Sequence, residues 1–218
     1  QGAVEMGAVA ALLPGALDLT DQDARAQITR AWKEDLPLAA GATLIEMIDR
    51  AQAGIIKGLF IIGENPVGSL PPQIGAKEAL GKLDLLVCQE LFLTETAALA
   101  HVVLPAASAM EKAGTFTNTE GHVQVVRPAI DPVGDSRPDW EILSAISVFM
   151  GAPLEYSEAK EILKEIRAVI PGYGSLGPSP IPPAVDRIAI DQYVKEGYRR
   201  DLATRYTLPA RAMRPEGT

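Results

Sequence analysis

The sequence predicts an α/β fold, a Rossmann-like parallel sheet flanked by helices, with a helical C-terminal extension. Three observations predict it. Residues 58–62 and 84–88 are short apolar runs, the length of buried parallel strands. A third short run, Val102 to Leu104, follows. Between the runs lie helix-like stretches: residues 73–80, closed by Gly81, and residues 94–100, opened by a Thr cap. The order β-α-β-α-β favours right-handed crossovers and a doubly wound sheet.

The flanking elements follow in chain order. Residues 1–19 are rich in Ala, Gly and Leu, lack periodicity and read as a plain apolar loop. Thr20-Asp21-Gln22-Asp23 reads as a cap with an acidic first turn, starting a helix that runs to about Lys33. Thr43 and Glu46 form a capping box, and Leu44, Met47, Ile48 and Ala51 recur at helical spacing up to Gly54. Residues 68–72 form a turn-rich connection. Residues 106–130 predict loop and short extended pieces, with Glu111, Lys112 and Glu120 able to form an internal ion pair. Ser136 is expected to cap a helix with Pro138 in its first turn and a face of Trp140, Leu143, Ile146, Ser147 and Met150. Ser157 is expected to cap a second helix over 158–170, with Ala159, Ile162, Leu163, Ile166, Val169 and Ile170 on one side. Residues 186–200 predict one more short helix, and 201–218 read as linker. The expected division is therefore an α/β domain over 1–130, a helical extension over 131–200 and a linker over 201–218.

Composition bounds the function. Aromatics are only 5% of a 47% hydrophobic chain, so the core must be mostly aliphatic. A net charge of −8 argues against nucleic-acid binding, which needs a basic face. No apolar run is long enough for a transmembrane helix, so no direct membrane insertion is expected. One cysteine, Cys88, falls within a predicted buried strand and cannot alone hold an iron–sulfur cluster. His101 and His122 add no metal-ligand spacing.

A doubly wound sheet binds ligands in the crevice outside the carboxyl ends of its strands. Two loops leave those ends: Gly63-Glu64-Asn65-Pro66, and the stretch from Gln89 to Thr96. Gly63 permits close approach to the backbone, and the second loop runs into a helix start whose free amides suit a phosphate. A nucleotide-like ligand and a pair of ordinary turns fit these features about equally.

The ordered motifs GENP, QELFLTETA, HVVLPA and EKAGTFTNTEGHVQ make the chain resemble the molybdopterin oxidoreductase family. That family includes formate dehydrogenase alpha subunits and the large iron–sulfur subunit of NADH-quinone oxidoreductase (complex I). The resemblance extends back to Gln1-Gly2-Ala3-Val4-Glu5-Met6-Gly7 and forward to Arg137-Pro138-Asp139-Trp140-Glu141. In that family the first of these motifs lies deep inside a longer chain, so the sequence is expected to be an excised piece. In molybdenum-containing members the α/β domain holds part of a bis-pterin guanine dinucleotide. The resemblance implies that Gly63, Glu64, Asn65 and Pro66 lie along a guanosine or phosphate, and that Gln89, Thr94, Glu95 and Thr96 line the adjacent edge. Gly114, Thr115, Asn118 and Gln124 would face the pterin. A hydrogen-bonded structural turn explains the last group equally well.

None of these residues is a chemical actor. Catalytic and metal-ligating residues are expected elsewhere in the parent, as are its iron–sulfur clusters, and the fragment alone is expected to be inactive. Two departures stand out: His101 replaces an Asp usual in molybdenum members, and His122 an Arg. Losing both charges near the groove would weaken a nucleotide site and point toward the complex I subunit, a scaffold for electron transfer from NADH to quinone. The alternatives are a cofactor-cradling domain of a molybdenum enzyme such as formate dehydrogenase, and an unrelated nucleotide-binding module. Either family reading implies, as partners, the rest of the parent chain and other electron-transfer subunits of a respiratory or formate-oxidising complex. It also implies a cytoplasmic location, with membrane association through those subunits.

Overall fold

A computed structural model of the chain describes residues 2–118, 123–170 and 173. The expected helix over 186–200 and the linker over 201–218 lie outside the described residues, as does His122.

The centre is a three-stranded parallel sheet in the order β3 (Gly58–Ile62), β4 (Leu85–Glu90) and β5 (Val102–Pro105). The register pairs Phe60 with Val87 and Val87 with Val102. Strand side chains alternate between faces, so each face collects every second residue. One face carries Leu59, Ile61, Leu86 and Cys88 onto a core built with Ile48, Ala51, Ala79, Leu80 and Leu83. Fully burying a side chain the size of Ile48, Leu80 or Leu86 stabilises by roughly 1.5–3 kcal/mol each. Burial, with the Glu90 charge second, also pushes the Cys88 thiol up, so it stays neutral in this core.

The helices and short strands around the sheet begin where the local chemistry places them. The N-terminal one-turn helix α1 (Gly2–Glu5) and the short antiparallel strands β1 (Leu12–Leu13) and β2 (Leu17–Asp18) replace the expected plain loop. In α2 (Gln22–Trp32) the cap is Asp21, whose carboxylate accepts from the amides of Asp23 and Ala24, both at 3.0 Å. The α3 helix (Leu44–Gln52) starts on the expected capping box between Thr43 and Glu46. Gly54 then takes a φ of 71°, which only glycine adopts freely. The crossover from β3 to β4 holds α4 (Pro66–Ser69), a 3₁₀ turn at Pro72–Ile74 and α5 (Ala76–Leu80). It is more broken than the single helix expected over 73–80, because Pro71 and Pro72 start a tight turn that Gly75 ends.

Downstream, β6 (Gly114–Thr117) and β7 (Val123–Val126) form a separate antiparallel pair. Two helices follow, α6 (Asp139–Phe149) and α7 (Ala159–Val169). The expected caps differ. Pro138, not Ser136, precedes α6, and the Ser136 hydroxyl is buried without a hydrogen-bond partner. At α7 the cap position is Glu158, and Ser157 instead donates its amide and hydroxyl to Glu161. Ile142 is the buried residue of α6, while Leu143 and Met150 of the expected face are exposed. A second core joins Leu13, Ala24, Ile28, Val169, Ile170 and Tyr173. Among the described residues no helix is long and apolar enough to cross a membrane.

Candidate functional site

The two carboxyl-end loops meet. Asn65 reaches across to the loop after β4, where its Oδ1 accepts from the Thr96 hydroxyl at 2.7 Å and the Thr96 amide at 3.2 Å. The same oxygen accepts from the Gly68 amide at 3.3 Å, which caps α4. Its Nδ2 donates to Glu95 at 2.7 Å, and this bond holds the Glu95 carboxyl below the ordinary range. Thr96 is fully buried, and its Oγ1 accepts from the Val67 amide at 3.1 Å. The result is a brace in which both side chains satisfy groups on the opposite loop. Gly68 makes room for it, since a Cβ there would collide with the Asn65 amide.

The helix start expected to offer free amides is a single 3₁₀ turn, Ala97–Leu99. Its amides are already engaged. The Thr94 hydroxyl accepts from Ala97 at 3.2 Å, the Thr94 carbonyl accepts from Ala98 at 2.8 Å, and Asn65 takes Thr96. The expected phosphate cradle is therefore absent at this turn. What remains open is the Gly63 backbone, with φ 62° and no atom within 4 Å of a hypothetical Cβ. The next residue is exposed Glu64, bonded to the Ser69 hydroxyl at 2.7 Å, and Asn65 holds exposed Glu95 of the other loop. Pro66 is buried under the loop.

Gln89, expected on the groove edge, is buried instead. Its Nε2 donates to the Asp139 carboxylate at 2.8 Å, and its Oε1 has no hydrogen-bond partner. Lys112 pairs with the same carboxylate. This Gln89–Asp139–Lys112 series ties the parallel sheet to α6 and to the segment leading into β6. Of the ion pair expected among Glu111, Lys112 and Glu120, Lys112 pairs with Asp139, and Glu111 accepts from the amides of Ser108 and Val133, at 2.6 and 3.0 Å. Glu120 lies outside the described residues.

The expected pterin-side residues sit on the second sheet. Gly114 and Thr115 line a cleft of about 550 Å³ with Trp140 and Leu163. Gln124 is exposed on β7, opposite Phe116, and Asn118 is half-buried just after β6. The structure thus gathers Gly63, Glu64, Asn65, Pro66, Thr94, Glu95 and Thr96 at one place and puts Gly114, Thr115, Asn118 and Gln124 on another element. His101 belongs to neither. Its Nδ1 accepts from the Leu86 amide at 2.9 Å, at the amino end of the strands, so its exchange for Asp does not bear on the groove. Glu5, unnoticed in the sequence, is buried and accepts from the hydroxyls of Tyr173 at 2.7 Å and Thr117 at 3.3 Å. An acidic residue flanked by Val4 and Met6 was the only local signal for it.

Residues 1–149 match the family model for molybdopterin oxidoreductase. The chain belongs to the molybdopterin oxidoreductase family. It is 44% identical over 175 residues to the F420-dependent formate dehydrogenase subunit alpha of Methanocaldococcus jannaschii, covering 79% of this chain and 26% of that protein. It is 36% identical over 175 residues to a subunit of the NADH-quinone oxidoreductase of Rhizobium meliloti, covering 80% of this chain and 20% of that one. The chain thus spans about a quarter or less of these relatives. The solved structure of acetylene hydratase from Pelobacter acetylenicus aligns with 58% of this chain and 19% of its own, at a TM-score of 0.50 and 23% identity, which shows a shared fold.

Membership in the molybdopterin oxidoreductase family makes a molybdopterin the candidate cofactor of the parent. The residues at the carboxyl ends fit only part of a dinucleotide form of such a group. Taken amides and two carboxylates do not suit a phosphate. Acceptor oxygens of Glu64 and Glu95 beside an open glycine backbone do suit the N–H-bearing edge of a base such as guanine.

Proposed function

We propose that this chain is a scaffold domain of the large iron–sulfur subunit of an NADH-quinone oxidoreductase, taking part in electron transfer from NADH to quinone by shaping that subunit. The observation that carries the reading is the Asn65–Thr96 brace, in which the side chains best placed to read a ligand hold the two loops together instead. Likeness to the Rhizobium meliloti NADH-quinone oxidoreductase subunit supports the same reading. On this reading residues 1–130 form the α/β domain, 131–200 a helical extension, and 201–218 a linker to a further domain. Iron–sulfur clusters lie in the rest of the parent, and the fragment alone is inactive. The parent is cytoplasmic and meets the membrane through partner subunits.

One observation favours a second reading, a cofactor-cradling domain of a molybdenum oxidoreductase such as a formate dehydrogenase: the 44% identity to a formate dehydrogenase alpha subunit. A bis-pterin guanine dinucleotide would then supply the metal's two-electron chemistry. Here Glu64, Glu95 and the Gly63 backbone would hold its base, and Gly114, Thr115, Asn118 and Gln124 would lie toward its pterin. The electron donor separates the readings. The full-length parent in its assembly is reduced anaerobically with NADH or with formate, and its cluster signals are read by electron paramagnetic resonance. The complex I reading predicts signals with NADH and none with formate, and the reverse pattern overturns it.

A further inference from the structure

Parallel sheets are buried on both faces, because the βαβ crossovers place helices on each. Among the described residues only one face is fully covered, by α3 and α5. The other carries Phe60 and Ile62 from β3, Leu85 and Val87 from β4, and Val102 and Leu104 from β5. No residue among these six is charged. Phe60, Ile62, Leu85 and Val102 are 41–49% exposed, although strand neighbours on the opposite face such as Leu86 and Cys88 are nearly inaccessible. The start of α6 reaches this face at one end only, where Asp139 holds Gln89. The half toward the amino ends of the strands has no cover among the described residues.

The dimensions of that open half select its occupant. Three strands at about 4.8 Å spacing and four residues at about 3.3 Å rise give a patch roughly 14 Å by 13 Å, or about 200 Å². A helix with its side chains is about 10–12 Å across, so one helix fills the width. A stable dimer needs roughly 600–1,000 Å² from each partner, several times what the patch offers. The patch holds no hydrogen-bonding side chain, so its partner must be aliphatic where it touches. The face already covered shows the same chemistry, with Ile48 and Ala51 of α3 against the strands. The matched relatives are about three to four times as long as this chain, so on the proposed reading the parent has further chain to supply such a helix.

We infer that the open half-face at Phe60, Leu85, Val87 and Val102 is the seat of an amphipathic helix from the remainder of the parent chain, packed beside α6. This rests on the reading of the chain as one part of a longer large subunit, and on neither choice of electron donor. The half-face makes this chain an incomplete layer that its own parent closes.

The test places the photo-crosslinking residue p-benzoylphenylalanine at position 60 of the full-length parent. After irradiation, the crosslinked peptides are mapped by mass spectrometry. The expected product is an intrachain link to a peptide outside these 218 residues whose aliphatic residues recur at helical spacing. A link to a second copy, to another subunit, or within these residues overturns the inference. A second variant, Phe60→Glu, covers the case of no crosslink. Under a packed helix it lowers the parent's melting temperature by about 4 °C or more, whereas an unchanged melting temperature overturns the inference. Neither readout depends on whether NADH or formate reduces the clusters, so this inference and the proposed function can fail separately.

Discussion

Asn65→Ala tests the brace between the two carboxyl-end loops. The substitution removes the Oδ1 that accepts from the Thr96 hydroxyl and amide and from the Gly68 amide, and the Nδ2 that donates to Glu95. These losses are unequal. Gly68 and Glu95 are exposed, so water replaces Asn65 there at small cost. Thr96 is fully buried, and its two donors would be stranded. A buried donor left unsatisfied costs about 1–3 kcal/mol, so two of them, with some relaxation, cost about 2–4 kcal/mol. With a urea m-value of about 2 kcal/mol/M, the unfolding midpoint of the variant falls by about 1–2 M, followed by far-ultraviolet circular dichroism. Asn65→Asp keeps an acceptor for Thr96 but sets a second carboxylate beside Glu95, and should fall between Asn65→Ala and the original. A loss below about 0.5 kcal/mol for Asn65→Ala, the range of an ordinary surface change, would refute the reasoning. Asn65 would then be free to serve a ligand.

Asp139→Ala removes the carboxylate shared by Gln89 and Lys112 and leaves the buried Gln89 amide only its long 3.5 Å bond to the residue 139 carbonyl, for an expected loss of about 1–3 kcal/mol by urea unfolding. Asp139→Asn should recover part of it. Gly63→Ala meets no atom but must adopt a left-handed φ of 62°, so it should lose about 1 kcal/mol in the same assay through backbone strain alone. Burial, aided by its hydrogen bond to Glu165, raises the Tyr156 phenol to about 12. Its stabilising contribution is complete below the ordinary value of 10.0 and is lost as pH rises through about 12. Ultraviolet difference titration against Tyr156→Phe should show that late step, and a step near 10.0 would contradict it. Hydrogen bonds from Ser108, then Val133, hold the Glu111 carboxyl below its ordinary 4.5. A lowered carboxyl stabilises the fold above that value, and the contribution disappears as pH falls through the folded value. The stability gap between the original chain and Glu111→Gln should therefore be largest at neutral pH and shrink well below 4.5.

Much of the fold was legible because its signals are local. The apolar runs at 58–62 and 84–88 became β3 and β4 with small boundary shifts, and Thr43 with Glu46 formed the capping box their spacing predicts. The helix starts at Ser136 and Ser157 were misread because the hydroxyls there have competing fates. One is buried, and the other bonds to Glu161, the next turn of the helix it was expected to cap. The site was less legible for a different reason. Asn65 and Thr96 are 31 residues apart, Gln89 and Asp139 50 apart, and Glu5 and Tyr173 168 apart. No periodicity encodes such pairings, since they depend on which loops the sheet brings together. A loop dense in Asn, Thr and Glu reads the same whether those groups face a ligand or one another. His101 shows the converse error: an unusual residue in a motif drew attention to the groove while lying at the other end of the strands.

The most direct test of the scaffold reading is the metal and pterin content of the full-length parent, measured by elemental analysis for iron, molybdenum and tungsten and by pterin fluorescence after acid oxidation. A scaffold domain of the complex I subunit predicts iron without molybdenum, tungsten or pterin. Near-stoichiometric molybdenum or tungsten together with pterin would contradict it and make the loops at Gly63 and Glu95 cofactor contacts.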